Sequence, residues 1–212
     1  MHNIINTYSK TNHLDVSREA CLDFEKFIDL VIEKNKNINI ISKNTATKEI
    51  IRKRHVIDSV QAVDFIGLNK DITDLGSGGG FPGIVLAIIA KHQKKKVTVN
   101  LFEKSHHKSS FLREVTRKLN LDTEIIQKDI FQMSDINSGT IIARAFKPMP
   151  IVLKLVYEKF NKYENLILFM GKNGKKILED TTNEWKFDYI EKKSLTNEDS
   201  FLVNIKNIKR IF

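Results

Sequence analysis

The chain has 212 residues and a formal charge of +9 at pH 7, from 35 Lys and Arg against 26 Asp and Glu. Hydrophobic residues at 41% and charged residues at 29% are a globular balance and exclude a disordered chain. The single cysteine, Cys21, excludes a disulfide framework and a multi-cysteine zinc site.

The elements follow in order. Ala20, Phe24, Phe27 and Val31 fall on one face of a first helix. Asp15 or Ser17 is its cap, and Arg18, Glu19, Asp23 and Glu25 are expected to face water. Asn35, Asn37 and Asn39 mark a turn. A second helix is expected over Thr47 to Phe65, carrying Lys48, Arg52, Lys53, Arg54 and His55. Short β-rich runs then alternate with helical ones. Strands are expected at Ile72–Leu75, Val97–Phe102, Thr123–Ile126, Thr140–Ala143 and Leu166–Met170. Helices are expected at Ile84–Ala90, Lys104–Leu119 and Ile151–Phe160. Phe187–Ile190 and Phe201–Ile208 read as two closing strands, with Trp185 and Phe187 as core. Strands alternating with helices imply an α/β fold with a mainly parallel sheet. The last two strands imply an antiparallel edge hairpin. The expected division is a helical extension over 1–66 and a core over 67–212.

The most informative stretch is Asp74-Leu75-Gly76-Ser77-Gly78-Gly79-Gly80-Phe81-Pro82-Gly83, at the end of the first core strand. Glycines there let backbone approach a bulky ligand at φ > 0. Ligands of open α/β sheets bind at the carboxyl ends of strands. Gly78, Gly80 and Gly83 match the dinucleotide spacing G-x-G-x-x-G. Gly76, Gly78 and Gly80, preceded by Asp74, match a different loop, whose carboxylate suits an amino group and not a pyrophosphate. Glu103 closes the next strand, where a carboxylate can accept from both ribose hydroxyls of an adenosine. Either cofactor would use it. No Gly-Lys-Ser/Thr follows, so a Walker loop is excluded.

This loop resembles the S-adenosylmethionine loop of the ribosomal small-subunit RNA guanine-N7 methyltransferases, the RsmG (GidB) family. Arg54-His55-Val56-Ile57-Asp58-Ser59, the helix Ser105–Leu112 and Ala143-Arg144-Ala145-Phe146 are similar to further family segments, in the family's order. The resemblance implies a Rossmann-like class I S-adenosylmethionine-dependent methyltransferase with an N-terminal helical extension. It implies that Gly76 and Phe81 touch the methionine and adenosine parts of the cofactor and that Asp129 and Ile130, preceded by Lys128, lie along the adenine; with Asp74, Gly78, Gly80 and Glu103 from the loop and strand end, these are the candidate cofactor-binding residues. Arg144 would sit at the mouth of the site, and Arg144 and Lys172 would serve catalysis. The chain departs from the family at Lys128, where Arg is usual, at Ala143 in place of Ser, and in the register of Lys172.

The reaction implied is methyl transfer to N7 of a guanine in the decoding-region loop of 16S rRNA, leaving S-adenosylhomocysteine. N7 carries an in-plane lone pair, so the enzyme needs alignment and no general base. The chain has no Asn/Asp-Pro-Pro-Tyr/Phe motif; Lys147-Pro148-Met149-Pro150 stands in that region. His106 and His107 diverge by ~100° around a helix, so no shared metal is expected. His55 and Asp58 share a helical face; they either close over the cofactor or brace the N-terminal helix against the core, and the brace is preferred. Expected partners are 16S rRNA or the small ribosomal subunit, with no membrane, no DNA and a monomeric chain. No apolar run approaches the roughly 18–20 residues of a membrane span, and the start lacks a leader pattern, so a cytoplasmic protein is expected. If the charge of +9 matters, its cations should ring the cofactor mouth near Arg54, Lys128, Arg144 and Lys172. Two rivals stand beside this reading: a methyltransferase for a small molecule or protein, and an NAD-binding module.

Overall fold

A computed structural model describes Tyr8, residues 16–68 and residues 70–211. The proposed cap Asp15 lies outside the described residues.

Helix α1 spans Arg18–Asn35, and its cap is Ser17, whose hydroxyl accepts from the Ala20 N–H at 3.1 Å. Ala20, Phe24, Phe27 and Val31 are buried, as their spacing predicts. Asp23 is buried and Glu25 half-buried, which corrects the sequence reading. Asp23 is ion-paired with Lys26 and Lys91 and hydrogen-bonded to His92. Glu25 takes both arms of Arg52 at 2.7 Å and the Tyr8 hydroxyl at 2.7 Å. Both carboxylates lie beside the apolar stripe, where neighbouring helices supply cations. Apart from Lys26, three residues on from Asp23, the sequence of α1 carries no sign of those partners.

Helix α2 covers residues 48–65 and starts at Thr47, whose side chain accepts from the Ile50 N–H. Its middle, Arg52–Ile57, is π-helical, and its last turn, Gln61–Phe65, is a 3-10 helix. Wide π turns are frequent at functional sites, and this one carries Arg54 and His55.

The core is a seven-stranded sheet in the order β3-β2-β1-β5-β7-β9-β8. Its strands are β1 (Ile72–Leu75), β2 (Val99–Phe102), β3 (Thr123–Ile126), β5 (Thr140–Arg144), β7 (Asn165–Met170), β8 (Trp185–Lys193) and β9 (Phe201–Arg210). The first five run parallel, and β9 is antiparallel to both β7 and β8. So the closing hairpin exists, with β8 as the edge and β9 tucked inside. The helices are α3 (Gly83–His92), α4 (His106–Leu119), α5 (Met149–Lys159) and α6 (Gly174–Thr181).

Alternation along the strands divides the core between two faces. Ile142 and Ile167 join a cluster with α1, α2, α3 and α4. Ile141, Ala143, Leu166 and Leu168 join a cluster with α5 and α6. The first two helices are therefore packed into the same apolar cluster as α3. Trp185 is buried, but Phe187 is only partly so, because an edge strand has one open side.

Two elements escape the sequence pattern. Helix α6 presents little apolar face, since only Gly174, Leu178 and Thr181 are buried. The two-stranded ribbon of β4 (Ile136–Asn137) and β6 (Phe160–Lys162) is too short to show alternation.

Candidate functional site

Chain order reverses between β1 and β5. From β1 the chain winds out to β2 and β3, then returns to lay β5 on the other side of β1. The carboxyl ends of these two neighbours form the switch point where an α/β sheet takes its ligand. They carry the glycine loop and Arg144.

The loop is built on positive φ: +69° at Gly76, +54° at Gly78 and +89° at Gly80. L side chains rarely adopt such angles. A Cβ on Gly80 would also stand 2.6 Å from Ile84 Cγ1 and 3.1 Å from Phe27 Cζ, so packing and backbone both demand glycine. A Cβ on Gly78 would meet nothing nearer than the Gly76 carbonyl at 3.7 Å, so that side of the loop is open.

Two carboxylates fasten the loop. Asp74 is 1% exposed, and its Oδ2 accepts from the Gly83 N–H at 2.9 Å. Its Oδ1 is buried without a hydrogen-bond partner. Burial raises the Asp74 pKa to about 7, against the opposing pull of the Gly83 N–H, Ser77 and Arg144. Glu103 accepts from Gly78 N–H at 3.0 Å and from Ser105 N–H at 2.7 Å, one on each oxygen. Each carboxylate oxygen keeps a further lone pair, so Glu103 remains able to accept from a diol.

Five of the sequence candidates come together in one cleft of about 280 Å³. Gly76, Glu103, Lys128, Asp129 and Ile130 line it, with Phe146 opposite. Asp129 Oδ1 caps the short turn after it by accepting from Phe131 N–H at 3.1 Å. Gly78 and Gly80 do not line it. Phe81 does not line the cleft. It is buried against Phe27, with ring centroids at 4.9 Å, and against His55 at 5.0 Å.

Arg144 lines a second, larger cavity of about 660 Å³ with Lys53, Arg54, Asp58 and the turn between β8 and β9. The two cavities meet at Ala145, which holds φ +52° without being glycine. Such strain is concentrated at functional sites. Lys172 lines a third hollow, with Ala145, Phe146 and Lys147. Arg54, Lys128, Arg144 and Lys172 thus stand around three adjoining hollows at the carboxyl end of the sheet. Other cations of the basic clusters are spent internally: Arg52 on Glu25, Lys48 on Asp29, and Lys91 on Asp23 and the Leu119 carbonyl.

Arg144 is held from several sides. Nη1 donates to the Arg54 carbonyl at 3.1 Å and pairs with Asp58 Oδ2 at 3.4 Å. Nη2 contacts His55 Nδ1, and the guanidinium carbon stands 5.6 Å from the Phe81 ring centroid. Asp58 also accepts from Thr196 at 3.0 Å and Ser194 at 3.3 Å, while Gln61 Oε1 accepts from Leu195 N–H at 2.7 Å. His55 and Asp58 therefore do brace α2, and the brace reaches Arg144 and the β8–β9 turn. The participation of Ser194, Thr196 and Gln61 spans some 130 residues of sequence, beyond any local motif.

This sheet order with a glycine loop at the switch point is the Rossmann-like class I methyltransferase fold. Similar architecture occurs in the PH0226 protein of Pyrococcus horikoshii OT3, with a TM-score of 0.59 at 14% identity over 84% of this chain and 99% of that one. A SAM-dependent methyltransferase from Aquifex aeolicus gives a TM-score of 0.53 at 16% identity, over 71% of this chain and 89% of that one. The family described as rRNA small subunit methyltransferase G matches residues 20–203. The ribosomal RNA small subunit methyltransferase G of Pelagibacter ubique (strain HTCC1062) is 55% identical over 211 residues, 99% of each chain. The chain belongs to the rRNA small subunit methyltransferase G family.

Proposed function

We propose that this chain transfers the methyl group of S-adenosylmethionine to N7 of a guanine in the decoding-region loop of 16S rRNA. The observation that carries the reading is the pairing of two cavities across Ala145. One is a cleft lined by Gly76, Glu103 and Ile130; the other is a larger cavity edged by Lys53, Arg54 and Arg144. Family membership supports the same reading.

The residues present fit the cofactor. Glu103 has lone pairs left for the ribose hydroxyls, and Lys128, Asp129 and Ile130 flank the adenine. Gly76, Gly78 and Gly80 let the backbone approach, with Phe81 packed behind them. Asp74, with one oxygen unpartnered, supplies negative charge beneath the loop for the amino group. When bound, S-adenosylmethionine supplies an electrophilic methyl on a sulfonium sulfur. The N7 lone pair forms the new bond to carbon while the C–S bond breaks and sulfur keeps the pair. No proton moves, and the product is S-adenosylhomocysteine.

The protein's task is alignment, which alone can supply several kcal/mol of a barrier. Arg144 cannot fork onto both O6 and N7, because N7 must face the methyl. It donates to O6 or to a phosphate, and Lys172 serves the RNA from the adjoining hollow. These two are the catalytic residues of the proposal. Within the extension over 1–66, the helices of residues 16–66 bring Arg54 and His55 to a core over 67–212. The chain acts as a cytoplasmic monomer on 16S rRNA or the small subunit, and not on DNA or a membrane. Among the described residues, no helix is long and apolar enough to cross a membrane.

Transfer of labelled methyl tests the reading. Label should appear on 16S and not on 23S rRNA, and S-adenosylhomocysteine but not NAD should raise Tm. Label on a small molecule or a protein alone, or stabilisation by NAD alone, would overturn it. Salt adds a check, because RNA contacts weaken steeply through counterion release.

A further inference from the structure

His55 belongs to no site described for the cofactor. It is largely buried, tilted against Phe81 with ring centroids 5.0 Å apart, and reaches Arg144 across 89 residues of sequence. Arg144 lines the larger cavity, one residue before Ala145, where the two cavities meet. A guanidinium has five N–H donors and no acceptor. The atom of His55 that faces it, Nδ1, must therefore be unprotonated and accept. That fixes the proton on Nε2, which is buried without a hydrogen-bond partner. Burial, followed by the Arg144 and Arg54 cations, pushes the His55 pKa down to about 3, so the ring stays neutral at working pH.

The geometry around the guanidinium is asymmetric. Nη1 is spent on the Arg54 carbonyl and Asp58, and one hydrogen of Nη2 is spent on His55. Nε–H and the second Nη2–H have no acceptor among the described residues. The guanidinium is held at both Nη atoms and lies against the Phe81 ring. Its two free donors stay available to a ligand. An unpartnered buried N–H on Nε2 is a cost that a purely packing residue would not carry.

We propose that His55 is a positioning residue for methyl transfer: as a neutral Nδ1 acceptor it orients Arg144 so that the free guanidinium donors meet the target guanine or its phosphate. The proposal rests on the methyl-transfer reading above. It adds that the π-helical turn of α2 exists to bring this acceptor to the end of β5. Orientation by a neutral acceptor avoids neutralising the Arg144 charge, which a second carboxylate in the place of His55 would do.

A double-mutant cycle tests it on the full chain with 16S rRNA. His55→Leu should lower kcat about 100-fold, the scale of a small misplacement, with the KM for S-adenosylmethionine unchanged within about 3-fold. His55→Asn, which returns an acceptor oxygen near the Nδ1 position, should recover at least about tenfold of that. In an Arg144→Ala background, His55→Leu should add less than about 3-fold. Multiplicative losses, or failure of Asn to rescue any activity while folded by circular dichroism, would overturn the proposal. A second readout needs no methyl transfer. The ¹⁵N shifts of His55 in the free protein should report a bare Nδ1 and a protonated Nε2 between pH 5 and 8. A protonated Nδ1 would overturn the proposal even with the activity intact. An inactive wild type would instead overturn the methyl-transfer reading, leaving the tautomer to decide the role of His55.

Discussion

Replacing Gly80 and Gly78 separately by alanine distinguishes backbone demand from packing demand within one loop. Both residues hold positive φ, +89° and +54°. A left-handed residue with a Cβ costs about 1–2 kcal/mol, and the stiffening of the unfolded chain offsets about 0.4–1 kcal/mol in both variants alike. The difference lies in what the methyl meets. At Gly78 the nearest atom is 3.7 Å away, an ordinary contact. At Gly80 it stands 2.6 Å from Ile84 Cγ1 and 3.1 Å from Phe27 Cζ, both fully buried residues. Overpacking a filled core adds about 1–3 kcal/mol. Gly80→Ala should therefore be less stable than Gly78→Ala by about 1–3 kcal/mol. For a chain of this size that is roughly 2–12 °C in Tm. Urea unfolding followed by circular dichroism measures it, with the m-value checked for constancy. Equal destabilisation, or a larger loss at Gly78, would refute the packing argument for the loop.

Three further outcomes follow from the same contacts. Burial raises the Asp23 carboxyl, but bonds from Lys26, His92 and Lys91 outweigh it and take the pKa down to about 2. A depressed carboxylate contributes stability that is present above its unfolded pKa and lost as pH falls through the folded one. Wild type should lose about 2 kcal/mol more than Asp23→Asn between pH 4 and pH 2 in urea titrations, and parallel pH profiles would deny the ion-pair cluster this role. Glu103→Ala removes the acceptor of the Gly78 and Ser105 N–H groups and the proposed ribose acceptor; calorimetry should show S-adenosylhomocysteine bound at least about tenfold more weakly, the scale of a hydrogen bond to a charged group, and unchanged affinity would remove Glu103 from the site. Asp74→Asn relieves a buried carboxylate whose pKa is raised to about 7. It should stabilise the free protein at pH 8 by about 1–3 kcal/mol while weakening cofactor binding, and a drop in Tm would contradict that.

Much of this was legible in sequence because the signals are local. The α1 stripe, the strand runs and the glycine loop each occupy a few consecutive positions. Gly76, Glu103, Lys128, Asp129 and Ile130 converge because each sits at or just past the carboxyl end of a parallel strand. The rest depends on distance. Asp23 and Glu25 read as solvent-facing because Lys91 and Arg52, which hold them from outside α1, come from α3 and α2. The role of Arg144 as a clamped side chain depends on His55 and Asp58, some 86–89 residues earlier. Phe81 belongs to the loop motif, yet its ring turns inward against Phe27 and braces the guanidinium. Helix α6 and the β4–β6 ribbon lack enough buried positions for any period to stand out.

The most direct test is chemical localisation of the product. 16S rRNA or small subunits from cells lacking the enzyme would be incubated with the protein and S-adenosylmethionine, then treated with borohydride and aniline, which cleave at N7-methylguanine. Primer extension should stop at one guanine in the decoding-region loop, and only with cofactor present. The Arg144→Ala variant should lose the stop while still binding S-adenosylhomocysteine. A methyl found on an exocyclic amine or a ribose, or no stop in that loop with label incorporated elsewhere, would contradict the account.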